Sequence, residues 1–303
     1  MKKLIILSAV LILAAAFSAP ASAVYQVNWS DGFETATVGN PLPAPWTLVS
    51  NPAYYTTEVP ILGGNSQVHT GSMAAEQQGV YPASALSASY IDLRVLPACV
   101  YYRGYAKGWI YDNGYDPNQG RTDARIQVMS SVGPNLGDSI GKTFSAQIQD
   151  ATTRDPLYWY AQWTYAAVKL DGGVTPPPTG AGFLFTPGLA ALRQVGWNYV
   201  LINWVFTYTN PLDPNSGGTG MIQWRINQTG INPNLTLNFD SSSTRWGDSH
   251  EVAGMVLGSL YPSSRVSPYD DLEFHADAVP EPSSLLAFGT GLVGFVGLAR
   301  RRR

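Results

Sequence analysis

Six residues at every second position, Tyr101, Arg103, Tyr105, Lys107, Trp109 and Tyr111, alternate aromatic rings with cations. In a strand, residues two apart share a face. The six therefore fall on one side, and Tyr102, Gly104, Ala106, Gly108 and Ile110 on the other. Flat rings stack on sugar faces, and cations between them pair with uronate or sulfate groups, which would make a glycan platform. The same pattern describes a solvent face held by cation–π contacts, with the small residues against a core. A second aromatic run, Leu157 to Tyr165, sets Trp159 and Trp163 on one face and Tyr158 and Tyr160 on the other. That density reads as core rather than cleft.

Signatures of catalysis are sparse. Asp270-Asp271-Leu272-Glu273 puts Asp271 and Glu273 on one strand face and Asp270 on the other, without the Glu-x-Asp-x-x-Glu strand by which some sandwich glycosidases align acid and nucleophile. His69, His250 and His275 form no His-Glu-x-x-His zinc motif. Ser249-His250-Glu251 is contiguous, whereas a hydrolytic triad is assembled in space. The single cysteine, Cys99, excludes an intramolecular disulfide and a multi-cysteine zinc site, and reads as a small buried hydrophobe. The chain reads as non-catalytic, with a polysaccharide hydrolase or lyase as the enzymatic alternative.

The elements that would position these groups are strands. Trp197 to Thr209 alternates with Val200, Ile202, Trp204, Phe206 and Tyr208 on one face, and Met221 to Gln228 alternates again after a loop expected over Pro211 to Gly220. Further strands are expected at Val100 to Tyr111, Arg125 to Ser130, Thr143 to Gln149, Leu157 to Val168, Leu235 to Asp240, Glu251 to Gly258 and Asp270 to His275. Helical periodicity is confined to a turn or two near Leu189 to Val195. Short strands separated by Gly, Pro and Asn turns argue an all-β antiparallel sandwich. Gly172 to Gly188, with three consecutive prolines, reads as a long loop within it. Charged residues are only 13% of the 303, and the body from Val24 to Val279 carries twelve Lys/Arg and twenty Asp/Glu, a formal charge of −8. This excludes a basic nucleic-acid binder and disfavours anionic lipid as partner.

Both ends read as addresses. Lys2 and Lys3, the apolar run Leu4 to Phe17 and the small-x-small site Ala21-Ser22-Ala23 describe a signal peptide over residues 1–23, cut by signal peptidase. At the other end Pro280-Glu281-Pro282 precedes an uncharged stretch, Ser283 to Ala299, and then Arg300, Arg301, Arg302 and Arg303. A helix of that stretch would be about 26 Å long, enough for a single transmembrane span, and the arginines would stay cytoplasmic. Tripeptide, span and basic end over 280–303 resemble the PEP-CTERM sorting tail. The resemblance implies a Gram-negative bacterium, processing by an exosortase, which is a membrane-embedded cysteine transpeptidase, and a place at the cell surface in an exopolysaccharide or biofilm matrix. An ordinary C-terminal membrane anchor is the plainer reading.

The body, 24–279, also carries a fold resemblance. Asp31-Gly32-Phe33-Glu34 with Trp46, His69-Thr70-Gly71-Ser72, the Trp197 strand with Trp224-Arg225-Ile226-Asn227, and Tyr269-Asp270-Asp271-Leu272-Glu273-Phe274 resemble the concanavalin A-like, laminin-G-type jelly roll. Galactose-binding-like modules open and close in a similar way. The resemblance implies that the two ends of the domain lie side by side. It further implies a structural Ca²⁺ held by Asp31, Glu34, Asp270 and Asp271, since calcium takes hard oxygen ligands. A lectin-like sandwich would bind carbohydrate or exopolysaccharide; an adhesive matrix protein without a small ligand is the other expectation.

Overall fold

In the computed structural model the described residues are 25–38, 40–48, 55–57, 61–63, 67–77, 85–93, 99–115, 123–130, 144–149, 159–163, 166–169, 183–185, 192–210, 213–227, 235–240, 252–258 and 266–280. Residues 1–23 and 281–303, Ser249-His250-Glu251 and most of Gly172 to Gly188 lie outside them. The strands are β1 (Tyr25–Asp31), β2 (Thr47–Leu48), β3 (Tyr55–Thr57), β4 (Ile61–Gly63), β5 (Met73–Gln77), β6 (Ala85–Asp92), β7 (Cys99–Asp112), β8 (Asp123–Ser130) and β9 (Phe144–Gln149). They continue as β10 (Trp159–Trp163), β11 (Ala166–Lys169), β12 (Phe183–Phe185), β13 (Gly196–Asn210), β14 (Asp213–Ile226), β15 (Leu235–Asp240), β16 (Val252–Gly258) and β17 (Ser267–Pro280). No helix occurs among the described residues, and the part of the expected helical turn that is described, residues 192–195, is irregular.

Two sheets form an all-β sandwich. The first runs β15-β14-β13-β7-β17-β5-β4, with β1 also on β17; the second runs β12-β11-β10-β9-β8-β16-β6-β2, with β3 on β6. Pairing is antiparallel except for the short β11–β12 and β3–β6 ladders. The period-2 pattern of β13 turns Val200, Ile202, Trp204 and Phe206 inward, where they join Ile126 and Val128 of β8, Ile148 of β9 and Met255 and Leu257 of β16 in one core. Trp159 is completely buried there, as its aromatic run suggested; the side chains of Tyr158 and Trp163 lie outside the described set. Each large apolar side chain fully buried in this way contributes about 1.5–3 kcal/mol.

One expected loop is a strand. β14 already begins at Asp213, with Gly220 opposite Phe206 and Gly218 opposite Tyr208. Glycines facing aromatic residues give the rings room, so a composition that reads as a turn continues the ladder to Tyr208 and Gly218 and, past a register shift, to Asn210 and Asp213. The expected strand Leu157 to Val168 is a hairpin, β10 and β11, in which Trp163 pairs with Ala166. At the far end of β7 the buried Asp112 makes a two-pronged ion pair with the buried Arg193, at 2.7 and 2.8 Å. This charge-assisted pair ties the exit of β7 to the entry of β13.

Candidate functional site

β7 lies between β13 and β17, and its two faces separate as the alternation required. Ala106, Gly108 and Ile110 are buried toward the core, while Arg103, Tyr105, Lys107, Trp109 and Tyr111 stand on the outer face. The Tyr101 side chain lies outside the described set. Register then decides each neighbour. Trp197 of β13 is opposite Tyr111 and Tyr199 is opposite Trp109, so four aromatic residues gather at one end. Trp109 meets Tyr199 edge-on at 5.4 Å and Trp197 meets Tyr111 edge-on at 5.5 Å. The ring of His69 covers this end, stacked on Trp109 at 4.0 Å and edge-on to Trp197 at 5.4 Å.

On its other side β7 faces β17, where Glu273, His275 and Asp277 are the register partners of Lys107, Tyr105 and Arg103. Lys107 Nζ is 2.7 Å from Glu273 Oε2, and Arg103 Nε donates to Asp277. Partial burial pulls the Lys107 ammonium down, but the hydrogen bond and charge of Glu273 outweigh it and hold the group above the usual lysine value. The hydrogen bond to Asp277 likewise raises Arg103. Lys107 also lies over the Tyr105 ring, 5.6 Å from its centroid. Both cations expected to meet an acidic sugar thus already have carboxylate partners on the neighbouring strand.

Beside these pairs opens a cleft of about 360 Å³, lined by Ser30, Asp31, Gly32, Lys107, Trp109, Tyr199, Asp271, Leu272 and Glu273. A β-bulge shapes it: β17 uses three steps from Asp270 to Glu273 where β7 uses two from Trp109 to Lys107. Asp271 takes the bulge conformation with φ +48°. The extra residue restores the inward phase, so that Tyr269 and then Leu272, Phe274 and Ala276 all reach the core.

The structure brings Asp31, Glu34, Asp270 and Asp271 into one region and gives each of them protein donors. Asp31 accepts from the Phe33 N–H at 2.8 Å and from Trp46 Nε1 at 3.0 Å. Glu34 accepts from the N–H groups of Ser72 and Met73, at 2.9 and 3.0 Å, and from the Ser72 hydroxyl at 2.8 Å. Asp270 accepts from the N–H groups of His69, Thr70 and Asp271 at 2.8–3.1 Å. Asp271 meets His69 Nδ1 at 2.7 Å and the Thr70 hydroxyl at 2.6 Å. Between these anchors Gly71 has φ +67°, and a Cβ there would lie 2.2 Å from Glu34 Oε1, so any other residue would have to displace the Glu34 carboxylate.

These bonds knot the turn after β1, residues 67–73 and the head of β17 together. Hydrogen bonds alone already staple these segments, and they engage all four carboxylates to which the resemblance assigned calcium. Among the described residues no group of three or more His, Cys, Asp or Glu side chains forms a metal cluster. The N–H of Ser72, then its hydroxyl and the Met73 N–H, hold Glu34 below the usual glutamate range. Burial pushes the Asp270 carboxyl up, against its three N–H bonds. His69, Trp197, Tyr199, Glu273 and Asp277 complete the site without having been assigned to it from sequence; alternation marks Glu273 and Asp277 as one face, but only the register shows what they face.

Residues 278–303 match the PEP-CTERM protein-sorting motif. No curated protein matches the sequence significantly. Solved structures with a similar fold include an endo-β-1,4-glucuronan lyase from the fungus Trichoderma reesei, 12% identical with a TM-score of 0.43, covering 78% of this chain and 92% of the lyase. They also include the basic winged bean lectin with Tn-antigen, 7% identical with a TM-score of 0.40 over 83% of this chain and 98% of the lectin. A third is the CBM2 module of the Lactobacillus casei BL23 phage J-1 evolved Dit protein, 9% identical with a TM-score of 0.41 over 84% and 97%. The sorting motif implies a membrane-spanning stretch at the C-terminus. The strand that bears Asp270 to Asp277 thus runs into a PEP-CTERM protein-sorting motif, which marks an exported protein that is exosortase-sorted and anchored at the cell envelope through its C-terminal end.

Proposed function

We propose that the sandwich is a non-catalytic carbohydrate-binding domain displayed at the cell surface or in its matrix, and that glycan lies across the outer face of β7. The observation that carries this reading is the cleft of about 360 Å³ with half-buried Trp109 and Tyr199 on its lining. Rings in this setting offer stacking surface while carboxylates and an ammonium beside them offer hydrogen bonds to hydroxyls.

The engagement of the carboxylates by protein partners supports binding over hydrolysis. A glycosidase needs one carboxyl kept protonated as acid beside a second that stays ionised. In the cleft Asp31, Asp271 and Glu273 are each already engaged by protein partners: Asp31 by the Phe33 N–H and Trp46 Nε1, Asp271 by His69 and the Thr70 hydroxyl, and Glu273 by Lys107. The carboxyl pushed upward, Asp270, is buried beneath the 67–73 segment rather than on the cleft lining.

The test is retention of the full chain, in a detergent without sugar head groups, on a panel of immobilised polysaccharides. Retention by at least one polymer, lost in Trp109→Ala while the thermal transition persists, supports the reading. A panel without any retention sinks it.

A further inference from the structure

The two cations on β7 direct attention to charge selection, because their fate is fixed by the ladder. Lys107 and Glu273 are register partners, as are Arg103 and Asp277, and each pair meets side chain to side chain on the outer face. Cross-strand partners on one face sit close enough for opposite charges to neutralise each other without rearrangement. The Asp277 side chain is almost wholly buried, only 3% exposed, which holds Arg103 in place. The counterion of each cation is therefore part of the sheet.

What the cleft offers a ligand is the opposite sign. Three carboxylates, Asp31, Asp271 and Glu273, line it against one ammonium, Lys107. The histidines are engaged too: His69 is bonded to Asp271, and His275 bonds Asn28 at 2.6 Å and lies 3.8 Å from Asp277. Arg225 of β14 stands two strands away, opposite Leu201, which is itself opposite Lys107, and has contacts of its own. An exported body of formal charge −8 adds long-range repulsion of polyanions. An acidic sugar entering here would place a further anion beside three and compete with Glu273 for its cation. A neutral sugar would instead donate its hydroxyls to carboxylate lone pairs that remain open, with a ring to stack on.

We propose that this face selects uncharged, hydroxyl-bearing glycan over polyuronate and sulfated glycan. The inference rests on the carbohydrate-binding reading above and names its ligand class. Dextran, a β-1,3-glucan and a galactan are to be compared with polyglucuronate and heparin by affinity electrophoresis of the full chain in the same detergent at low salt. At least one neutral polymer should retard the protein, with polyglucuronate and heparin at least about tenfold weaker.

The double variant Glu273→Gln, Asp277→Asn frees Lys107 and Arg103 at nearly constant volume. Its retardation by polyglucuronate should rise about tenfold and fall again as salt is added, the signature of exposed cations meeting a polyanion. Two results overturn the selection while leaving carbohydrate binding intact: wild-type retention by polyglucuronate or heparin equal to that by every neutral polymer, or a double variant that is folded and gains nothing. Absence of retention by all five polymers overturns the selection together with the binding reading on which it rests.

Discussion

The two faces of β7 are built from the same strand yet are determined by different physics. On the inner face Gly104, Ala106 and Gly108 are small because neighbours fill the space, with Trp204, Leu272 and Ile126 closing on the backbone. On the outer face Arg103, Tyr105, Lys107, Trp109 and Tyr111 are large and polar or aromatic, and each is placed by a register partner on β13 or β17. The inner face is a volume constraint; the outer face is a matter of charge and hydrogen bonding. A change of one methyl should therefore be felt inside, and a change of charge outside.

The sharpest break of this contrast is Gly104→Val. A Cβ at that position would lie 2.2 Å from the His275 carbonyl oxygen and 3.0 Å from Ala276 Cα, so backbone would have to move. Overpacking against backbone is expected to cost about 3 kcal/mol or more, read as a lower urea midpoint. Gly108→Ala should cost less, about 1–2 kcal/mol, because its nearest contacts, Leu272 Cδ2 at 2.5 Å and Ile126 Cδ1 at 3.2 Å, are the flexible tips of side chains. Equal costs at the two positions would mean that the sheet is not held as closely at Gly104 as the ladder indicates.

The next effect lies at the edge of the outer face. Gly71→Ala puts a side chain at φ +67° and drives it into Glu34 Oε1, so the Glu34 carboxylate must leave its seat on Ser72 and Met73. Loss of the left-handed glycine alone costs about 1–2 kcal/mol. The same segment carries His69 over Trp109, so polysaccharide retention should weaken along with thermal stability. A variant that loses stability but keeps wild-type retention would separate the knot from the platform.

Much of this fold is legible in sequence wherever alternation is unbroken, and it fades wherever tertiary contacts override composition. Val100 to Tyr111 and Trp197 to Thr209 announce β7 and β13 because residues two apart share a character: small residues between large ones from Arg103 to Trp109, and apolar Val200, Ile202, Trp204 and Phe206 on one face. β5, Met73-Ala-Ala-Glu-Gln, has helix-favouring composition and is a strand because Ser267, Pro268 and Tyr269 of β17 pair with it. β6 gives no clear period, since Ala88, Ser89 and Ile91 are buried on both faces. At the site, the resemblance names Asp31, Glu34, Asp270 and Asp271 together, but most donors to Glu34 and Asp270 are backbone N–H groups of residues 69–73, which no side-chain pattern displays. The pairing of Lys107 with Glu273 depends on a bulge between two distant segments, and local spacing contains no register.

The smallest predicted effect separates the two faces by pH. Glu34 is held below the ordinary glutamate value of 4.5, so the folded state favours its anion. Its contribution is complete above that value and is lost as pH falls through the lower, folded one, because the unfolded chain takes up the proton first. Asp270 has the opposite sign: burial raises it above 3.8, the folded state takes the proton first, and stability from this group grows as pH falls through that window. Glu34→Gln should therefore lower the melting temperature near pH 7 and converge on wild type as pH falls below 4.5. The deficit of Gly104→Val, a steric cost, should stay constant over the same titration. If the Glu34→Gln deficit were equally flat, the carboxylate would be acting as a shape rather than as a charge, and the distinction between a volume-limited inner face and an electrostatically held outer rim would not hold at Glu34.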